Sequence, residues 1–325
     1  MMTTKAPFLS IVVPVYNVEE YLERCFNSVI SQSFIDWEMI IVDDCSPDNS
    51  QQIIQKYQAQ DSRVRCIINE KNKGLGGARN VGISHCHGEY ILFIDSDDFI
   101  SDESALEQLC ALASENNLDV IDTPYRVIKD GVEINRLPKK FNDLNDKIYD
   151  GVDYMEQIQI LPIVVWNKLY KRSLLQENNI LFKERKYEDI CFTLEVMYKA
   201  SRVQNTSSPF YNYIIREGSI MTSKVSRSSI DDAMELCFDL EALYESTKQN
   251  TQIEKSFFYG FIGLQKLLAN YDSKEHKQEV SKRLKALHRK YRWTILKAEK
   301  LGSIQKLSLL ISPKLTLFLI QKSKG

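Results

Sequence analysis

At 325 residues, 43% hydrophobic and 26% charged, the chain carries enough apolar material for one large core with an appendage or for two domains, and disorder is excluded as the default. Seven cysteines, an odd number with no C-x-x-C pair, exclude a closed disulfide framework and point to a reducing compartment. The formal net charge of −2 hides an asymmetry, because residues 280–325 hold twelve Lys/Arg against one acid, Glu299. The body is therefore acidic, the tail basic, and the tail's partner is expected to be anionic.

The start, "MMTTKAPFLSIVVPVYN", has one lysine, a short apolar run and an early proline, and reads as a first strand rather than a secretory signal. On that reading the protein is cytoplasmic. Residues 9–121 then alternate between two periods. "LSIVVPV" is an apolar run of the buried-strand kind, and Leu22, Cys25, Phe26, Val29 and Ile30 follow at helical spacing. "EMIIVDD" predicts a second strand, and Ile53, Ile54 and Tyr57 a helix that Asp48, Asn49 or Ser50 would cap. "RVRCIIN", a helix over 75–84 behind a glycine-rich turn, "EYILFID", a helical face at Leu106, Leu109, Cys110 and Ala113, and "LDVID" complete the series. Strands and helices in this alternation predict an α/β fold with a mainly parallel sheet covered on both faces. Ligands of such sheets sit beyond the carboxyl ends of the strands.

From about Pro124 the alternation stops, and residues 124–225 mix short strand-like pieces, loops and aromatics. Residues 229–302 read as helices, with Val280, Leu284, Leu287, Tyr291, Ile295, Ala298 and Leu301 on one apolar stripe. The later run "LSLLISPKLTLFLI" is broken by Pro313 and Lys314 and is too short to span a bilayer. The basic tail, 280–325, is expected either to lie on an anionic membrane surface, peripheral to the inner face of the plasma membrane, or to pack on the protein. Its aromatics do not interleave with basic residues as in nucleic-acid readers, so no nucleic-acid partner is expected.

Three predicted strands end in polar residues: "PVYN" (14–17), "DDCS" (43–46) and "DSDD" (95–98). In a parallel sheet these emerge on one edge and become neighbours. Crowded acids repel and titrate upward unless a cation sits among them, and carboxylate oxygens suit Mg²⁺ or Mn²⁺ sharing its shell with a substrate's phosphates. The plain alternative is a solvated turn in which Asp97 or Asp98 caps a helix after Phe99. The turn "NKGLGGARNVG" superficially fits a dinucleotide fingerprint. Its third glycine position is Arg79, however, and it follows the third strand rather than the first, which argues against a nicotinamide site. Tyr16, an aromatic at a strand end, offers a face to a planar heterocycle.

Together "VVPVYN", "VDDCSPDNS", "NKGLGGARNVGI" and "FIDSDD", in this order and spacing, resemble the family 2 glycosyltransferases of GT-A fold, strongly over residues 8–120 and more loosely to about 225. The resemblance implies a Rossmann-like, mainly parallel sheet flanked by helices, with a nucleotide-sugar-binding half (1–123), an acceptor-binding half (124–225) and a helical C-terminal region (226–325). It implies donor contacts from Pro14, Tyr16, Asn17, Asp44, Arg79, Asp95, Ser96 and Asp97. Tyr16 would stack on a uracil-like base, Asp44 would hold its ring N–H, and Arg79 would lie near base or ribose. "DSDD" is similar to the DxD motif, with Asp97, and Asp98 beside it, at a Mn²⁺ or Mg²⁺ ion.

"YEDICF" resembles the family's ED motif, so Asp189 is the expected general base and Glu188 its neighbour on the acceptor side. A helix N-terminus there would help keep the carboxylate ionised. "WNKLYKR" resembles a segment before that motif, which implies that Trp166 and Lys168 line the acceptor pocket or the donor-sugar pocket. Where relatives carry Y-x-Y-R, this chain has Ile214, and Arg216 is the candidate to steady the leaving diphosphate. The implied activity is inverting transfer from a nucleotide sugar, UDP-sugar favoured, to a glycan or lipid-linked acceptor in bacterial cell-surface polysaccharide synthesis. The alternatives are a metal-dependent sugar nucleotidyltransferase, a phosphohydrolase, or a sugar-nucleotide-binding module without catalysis. Against the first stands "PVYNVEE" in place of a basic glycine-rich loop, and against the second the Asp98–Phe99 that follow the D-x-D.

Overall fold

A computed structural model describes residues 6–134, 144, 147–158, 161–216, 225–247 and 250–291. The chain divides into two compact units, 1–219 and 220–325. In the first, chain order is β1 (Leu9–Val15), α1 (Glu19–Ile30), β2 (Trp37–Asp43), α2 (Ser50–Gln60), β3 (Val64–Ile68), α3 (Gly74–His85), β4 (Tyr90–Phe93), β5 (Phe99–Ile100), α4 (Ala105–Glu115) and β6 (Val120–Asp122). There follow β7 (Tyr125–Lys129), β8 (Val132–Glu133), α5 (Gly151–Gln157), β9 (Lys168–Lys171), α6 (Arg172–Glu177), α7 (Glu188–Lys199), β10 (Val203–Asn205) and β11 (Tyr211–Ile215).

Every residue of β1, β2 and β4 is buried, which is why these strands read as nearly unbroken apolar runs rather than as alternation. They lie in a seven-stranded sheet of order β10-β6-β9-β4-β1-β2-β3. All its pairings are parallel except those of β9, which runs antiparallel between β4 and β6. Leu22, Cys25, Phe26 and Val29 of α1 and Leu106, Leu109 and Ala113 of α4 join the same core. The register pairs Val15 with Asp43 and Asp43 with Ile68, so Tyr16, Asp44 and Asn69 leave the sheet side by side.

A second sheet of four strands has the order β5-β11-β7-β8. The acid run Asp95–Asp98 is the link by which the chain crosses from β4 in the first sheet to β5 in the second. This overturns the helix-cap expectation: Phe99–Ile100 pairs antiparallel with β11, and the next helix starts only at Ala105.

Two residues expected in an acceptor pocket are instead structural. Lys168 is fully buried, because its position opposite Asp122 in the β6–β9 register brings its ammonium 3.2 Å from that carboxylate. It also donates to the carbonyls of Pro162 and Val164 and to Asn167 Oδ1. Burial pushes the Lys168 ammonium down and the Asp122 carboxyl up, each opposed by the other's charge. Trp166 is buried against Tyr211 and Tyr213, both stacked nearly parallel to it with ring centres 4.4 and 5.4 Å away.

The second unit contains α8 (Arg227–Ser246), α9 (Thr251–Ala269) and α10 (Lys274–Lys290). Ser226 caps α8 and Asn250 caps α9 through their side chains. The stripe Val280, Leu284, Leu287 and Tyr291 is buried, while Arg283 pairs with Glu235 and Lys290 with Glu241 and Glu245 of α8. Up to Tyr291 the apolar face is therefore covered by protein rather than open to a membrane. Trp293 and the rest of the stripe and tail lie outside the described residues. No described helix is long and apolar enough to cross a membrane.

Removing one partner of a buried ion pair leaves the other uncompensated. Lys168→Met should lower stability by about 3–5 kcal/mol in urea denaturation, and a loss under ~1 kcal/mol would contradict the pair's role in joining β6 to β9.

Candidate active site

The ends of β1 and β2 form one wall. Tyr16 is 51% exposed, with its ring available to a planar ligand, and Asn17 beside it adopts a left-handed backbone (φ 55°). Cys45 does the same after Asp44, at φ 65°. The two turns are tied together: Asn17 N donates to Ser46 Oγ, Asp44 N to the Val15 carbonyl, Glu19 N to Asp48 and Asn49 N to Glu19. Asp48 thus serves the turns and accepts from Ser50 N, while Asn49 stands at the N-cap of α2 without a side-chain cap bond. The buried Asp44 carboxylate accepts from Asn69 Nδ2 at 2.7 Å and from Lys73 N at 2.9 Å, both at Oδ1. Pro14 is buried inside β1 and reaches the wall only through its place in the strand.

The acid turn is organised from 113 residues away by Tyr211. Its hydroxyl accepts from Asp95 N and donates to Asp98 Oδ2, and Ile214 N donates to Asp98 Oδ1 at 2.7 Å. Both oxygens of Asp98 are thereby engaged and the residue is buried, with its carboxyl pushed well up by burial and by Asp97 and Asp95. Asp98, expected beside Asp97 as a metal ligand, is a structural pin. Ser96 is buried as well. Asp97 remains partly open and pairs with Arg216 at 2.7 Å, the guanidinium lying over Tyr21. Its backbone carbonyl accepts from Arg24.

Arg79 is not on the surface: at 2% exposure it is buried between two acids. One terminal nitrogen reaches Asp95 at 2.6 Å and the other Glu188 at 2.8 Å. This brings the first residues of α7 to the strand-end acids. Glu188 is thus spent on Arg79, and Asp189, partly buried, is its unspent neighbour. The Asp189 carboxyl is pushed up to about 7 by burial and by the adjacent Glu188 charge, against the pull of Arg79. The place of Asp189 in the first turn of α7 thus does not bring its carboxyl into the ordinary aspartate range, because burial and Glu188 push it up. Tyr187, just before it, holds a left-handed backbone at φ 66°, a conformation costly for a bulky residue that persists where surroundings enforce it.

Among the described residues no three His, Cys, Asp or Glu side chains form a metal cage. The sequence reading missed Tyr211, Asn69 and the Arg79 bridge. Tyr211 reads only as one more aromatic of a strand, and Asn69 only as the polar end of one; no local signal ties either to an acid so distant in the chain.

The family model for "Glycosyl transferase family 2" matches residues 10–178. The chain belongs to that family. Among curated relatives it is 33% identical over 217 residues to the uncharacterized glycosyltransferase EpsJ of Bacillus subtilis, spanning 64% of this chain and 61% of EpsJ. It is 32% identical over 220 residues to the poly(ribitol-phosphate) beta-N-acetylglucosaminyltransferase TarS of Staphylococcus aureus, spanning 66% of this chain and 37% of TarS. The match thus extends over less than two thirds of either relative. The crystal structure of TarS 1–349 in complex with UDP-GlcNAc superposes with a TM-score of 0.62 at 23% identity, covering 85% of this chain and 87% of that one. The fold is therefore GT-A. A mannosyltransferase from Pyrobaculum calidifontis, in complex with GDP-Man and Mn²⁺, shares it with a TM-score of 0.54 at 14% identity, over 94% and 88% of the two chains.

The Asp98 pin carries a test. Asp98→Ala strands the buried Tyr211 hydroxyl and Ile214 N–H, at about 1–3 kcal/mol for an unsatisfied group. Equilibrium denaturation should register that loss, and unchanged stability would contradict the assignment.

Proposed function

We propose that the chain is an inverting, metal-dependent glycosyltransferase that moves a sugar from a UDP-sugar to a hydroxyl of a glycan or lipid-linked acceptor in cell-surface polysaccharide synthesis. One observation carries the proposal: Asp189, with a carboxyl near 7, stands next to the residue that Arg79 joins to the strand-end Asp95. A general base works best with a pKa near the operating pH. The names of the relatives support the rest. TarS is named for a β-linked product and its structure holds UDP-GlcNAc, which fits inversion of an α-linked nucleotide sugar.

In this reading Tyr16 stacks on the base, the open oxygen of Asp44 receives a ring N–H, and Asp95 faces ribose or sugar. Asp189 takes the proton of the acceptor hydroxyl as its oxygen attacks the anomeric carbon. The bond from that carbon to the diphosphate breaks with its electron pair leaving on the diphosphate, and the configuration inverts. Arg216, paired with Asp97 beside this site, steadies the departing phosphates in the same reading.

The donor set fits a hard divalent cation. Only Arg216 engages the Asp97 carboxylate among the described residues, and Asp95 is pushed up by burial and by Asp97, with Arg79 pulling the other way. Mg²⁺ and Mn²⁺ sites of this kind use one or two carboxylates plus substrate phosphates, so the lack of a protein cage is no obstacle. Asp97 would hold the ion, which when bound would neutralise charge on the leaving diphosphate.

Asp189→Asn should abolish transfer and leave calorimetric UDP affinity within about twofold, since the base is asked only for proton transfer; turnover near that of the unaltered chain would sink the assignment. Because the base must be ionised, the rate at saturating substrates should fall about tenfold per pH unit below a pH near 7. A flat profile from pH 5 to 8 would contradict it. Asp97→Ala should remove the Mn²⁺-dependent part of UDP binding in calorimetry, with UDP binding unaffected by Mn²⁺ in both proteins as the contrary result.

A further inference from the structure

The stretch "GLGGARN" at the head of α3 looks like a nucleotide loop, yet part of it faces another segment of the chain. Gly76, Arg79 and Asn80 each meet the segment that precedes and begins α7. Asn80 Nδ2 donates to the Phe182 carbonyl and Asn80 Oδ1 accepts from Phe182 N, each at 2.8 Å. One amide side chain thus pairs both backbone groups of a residue 102 positions away, as a neighbouring strand would. A Cβ at Gly76 would collide with the Lys183 carbonyl and press on Glu188 Cβ at 3.1 Å. A Cβ at Gly77 would meet Lys73 and come within 3.4 Å of the Glu184 side chain. Arg79, one turn further on, closes the contact by binding Glu188. Neither glycine needs a positive φ: the one in this stretch that has it is Gly74, at φ 72°. At Gly76 the 182–188 segment lies where a side chain would be, whereas at Gly77 the obstacle is the Lys73 side chain.

We infer that Gly76, Arg79 and Asn80 form a docking platform that positions the base-bearing segment 182–189 against the donor-side acids, with Arg79 as the tie between Asp95 and Glu188. These are positioning residues: none touches the reacting atoms, and each acts through where it places Asp189. The inference rests on the reading of Asp189 as base. An arginine is required at the tie because its planar fork serves two carboxylates at once, which a lysine ammonium on a flexible stem does not do with the same geometry. A misplacement of about 1 Å in a catalytic group costs on the order of 100-fold in rate, so loosening the dock should show in turnover before it shows in donor binding.

The test uses the full chain and whichever of UDP-GlcNAc, UDP-glucose and UDP-galactose it hydrolyses fastest, with UDP itself as the calorimetric probe. Asn80→Ala and Gly76→Ala, which leave Asp95 and the donor wall untouched, should each lower kcat for hydrolysis by about tenfold or more while UDP affinity and donor KM stay within about twofold. Arg79→Lys should lose as much kcat as Arg79→Gln, since charge alone does not bridge. UDP affinity falling in step with kcat would overturn the inference by making the stretch a donor contact, and so would unchanged kcat in Asn80→Ala and Gly76→Ala. Asp189→Asn run alongside separates the two levels. An active Asp189→Asn overturns the base reading itself, whereas an inactive one beside active platform variants overturns only the positioning role.

Discussion

A buried guanidinium has to be paid for in desolvation, and the arrangement of the first unit is organised around doing so. Arg79 finds Asp95 on one side and Glu188 on the other, and both acids gain a cation that water cannot reach. Breaking either contact would leave a charge in a low-dielectric interior, so the three groups are held as a set. The set ties the turn after β4, through Asp95, to the start of α7, through Glu188, the helix that carries Asp189.

The same logic explains why the acid turn is not simply a cluster of repelling charges. Asp95 is answered by Arg79, Asp97 by Arg216, and Asp98 by the Tyr211 hydroxyl and Ile214 N. Each carboxylate has a different partner and therefore a different availability. Asp98 has none left, Asp95 is partly committed, and Asp97, paired with Arg216, stays partly open to solvent. Burial and the adjacent Glu188 charge push the Asp189 carboxyl up, and the nearby cation, Arg79, is bound to Glu188 instead. A carboxyl near 7 is obtained here by giving the nearby counter-ion to the residue beside it.

Much of the framework was legible in the chain. The run "LSIVVPV" coincides with β1, and the continuous apolar character of "EMIIVDD" and "EYILFID" announces strands buried on both faces. From those strands follow the parallel sheet and the edge at which Tyr16, Asp44 and Asp95 meet. What sequence reasoning mistook were residues whose role depends on partners far along the chain. Lys168 resembles a pocket lysine, yet antiparallel β9 sets it opposite Asp122. Trp166 resembles an acceptor platform, yet β11 covers it with Tyr211 and Tyr213. Asp98 is indistinguishable from Asp97 until the Tyr211 hydroxyl is seen on it. Local periodicity reports burial and strand direction; it does not report which distant residue arrives to satisfy a buried polar group.

The account depends most on the state of one carboxyl. Carbon-13 NMR of the Asp189 side-chain carboxyl, assigned by its loss in Asp189→Asn and followed from pH 4 to 9, measures that state without an acceptor in hand. The arrangement described here predicts titration near 7. Titration near the ordinary aspartate value of about 4 would contradict it, because the group would then be a solvated helix-terminal acid rather than one held unpaired beside Glu188.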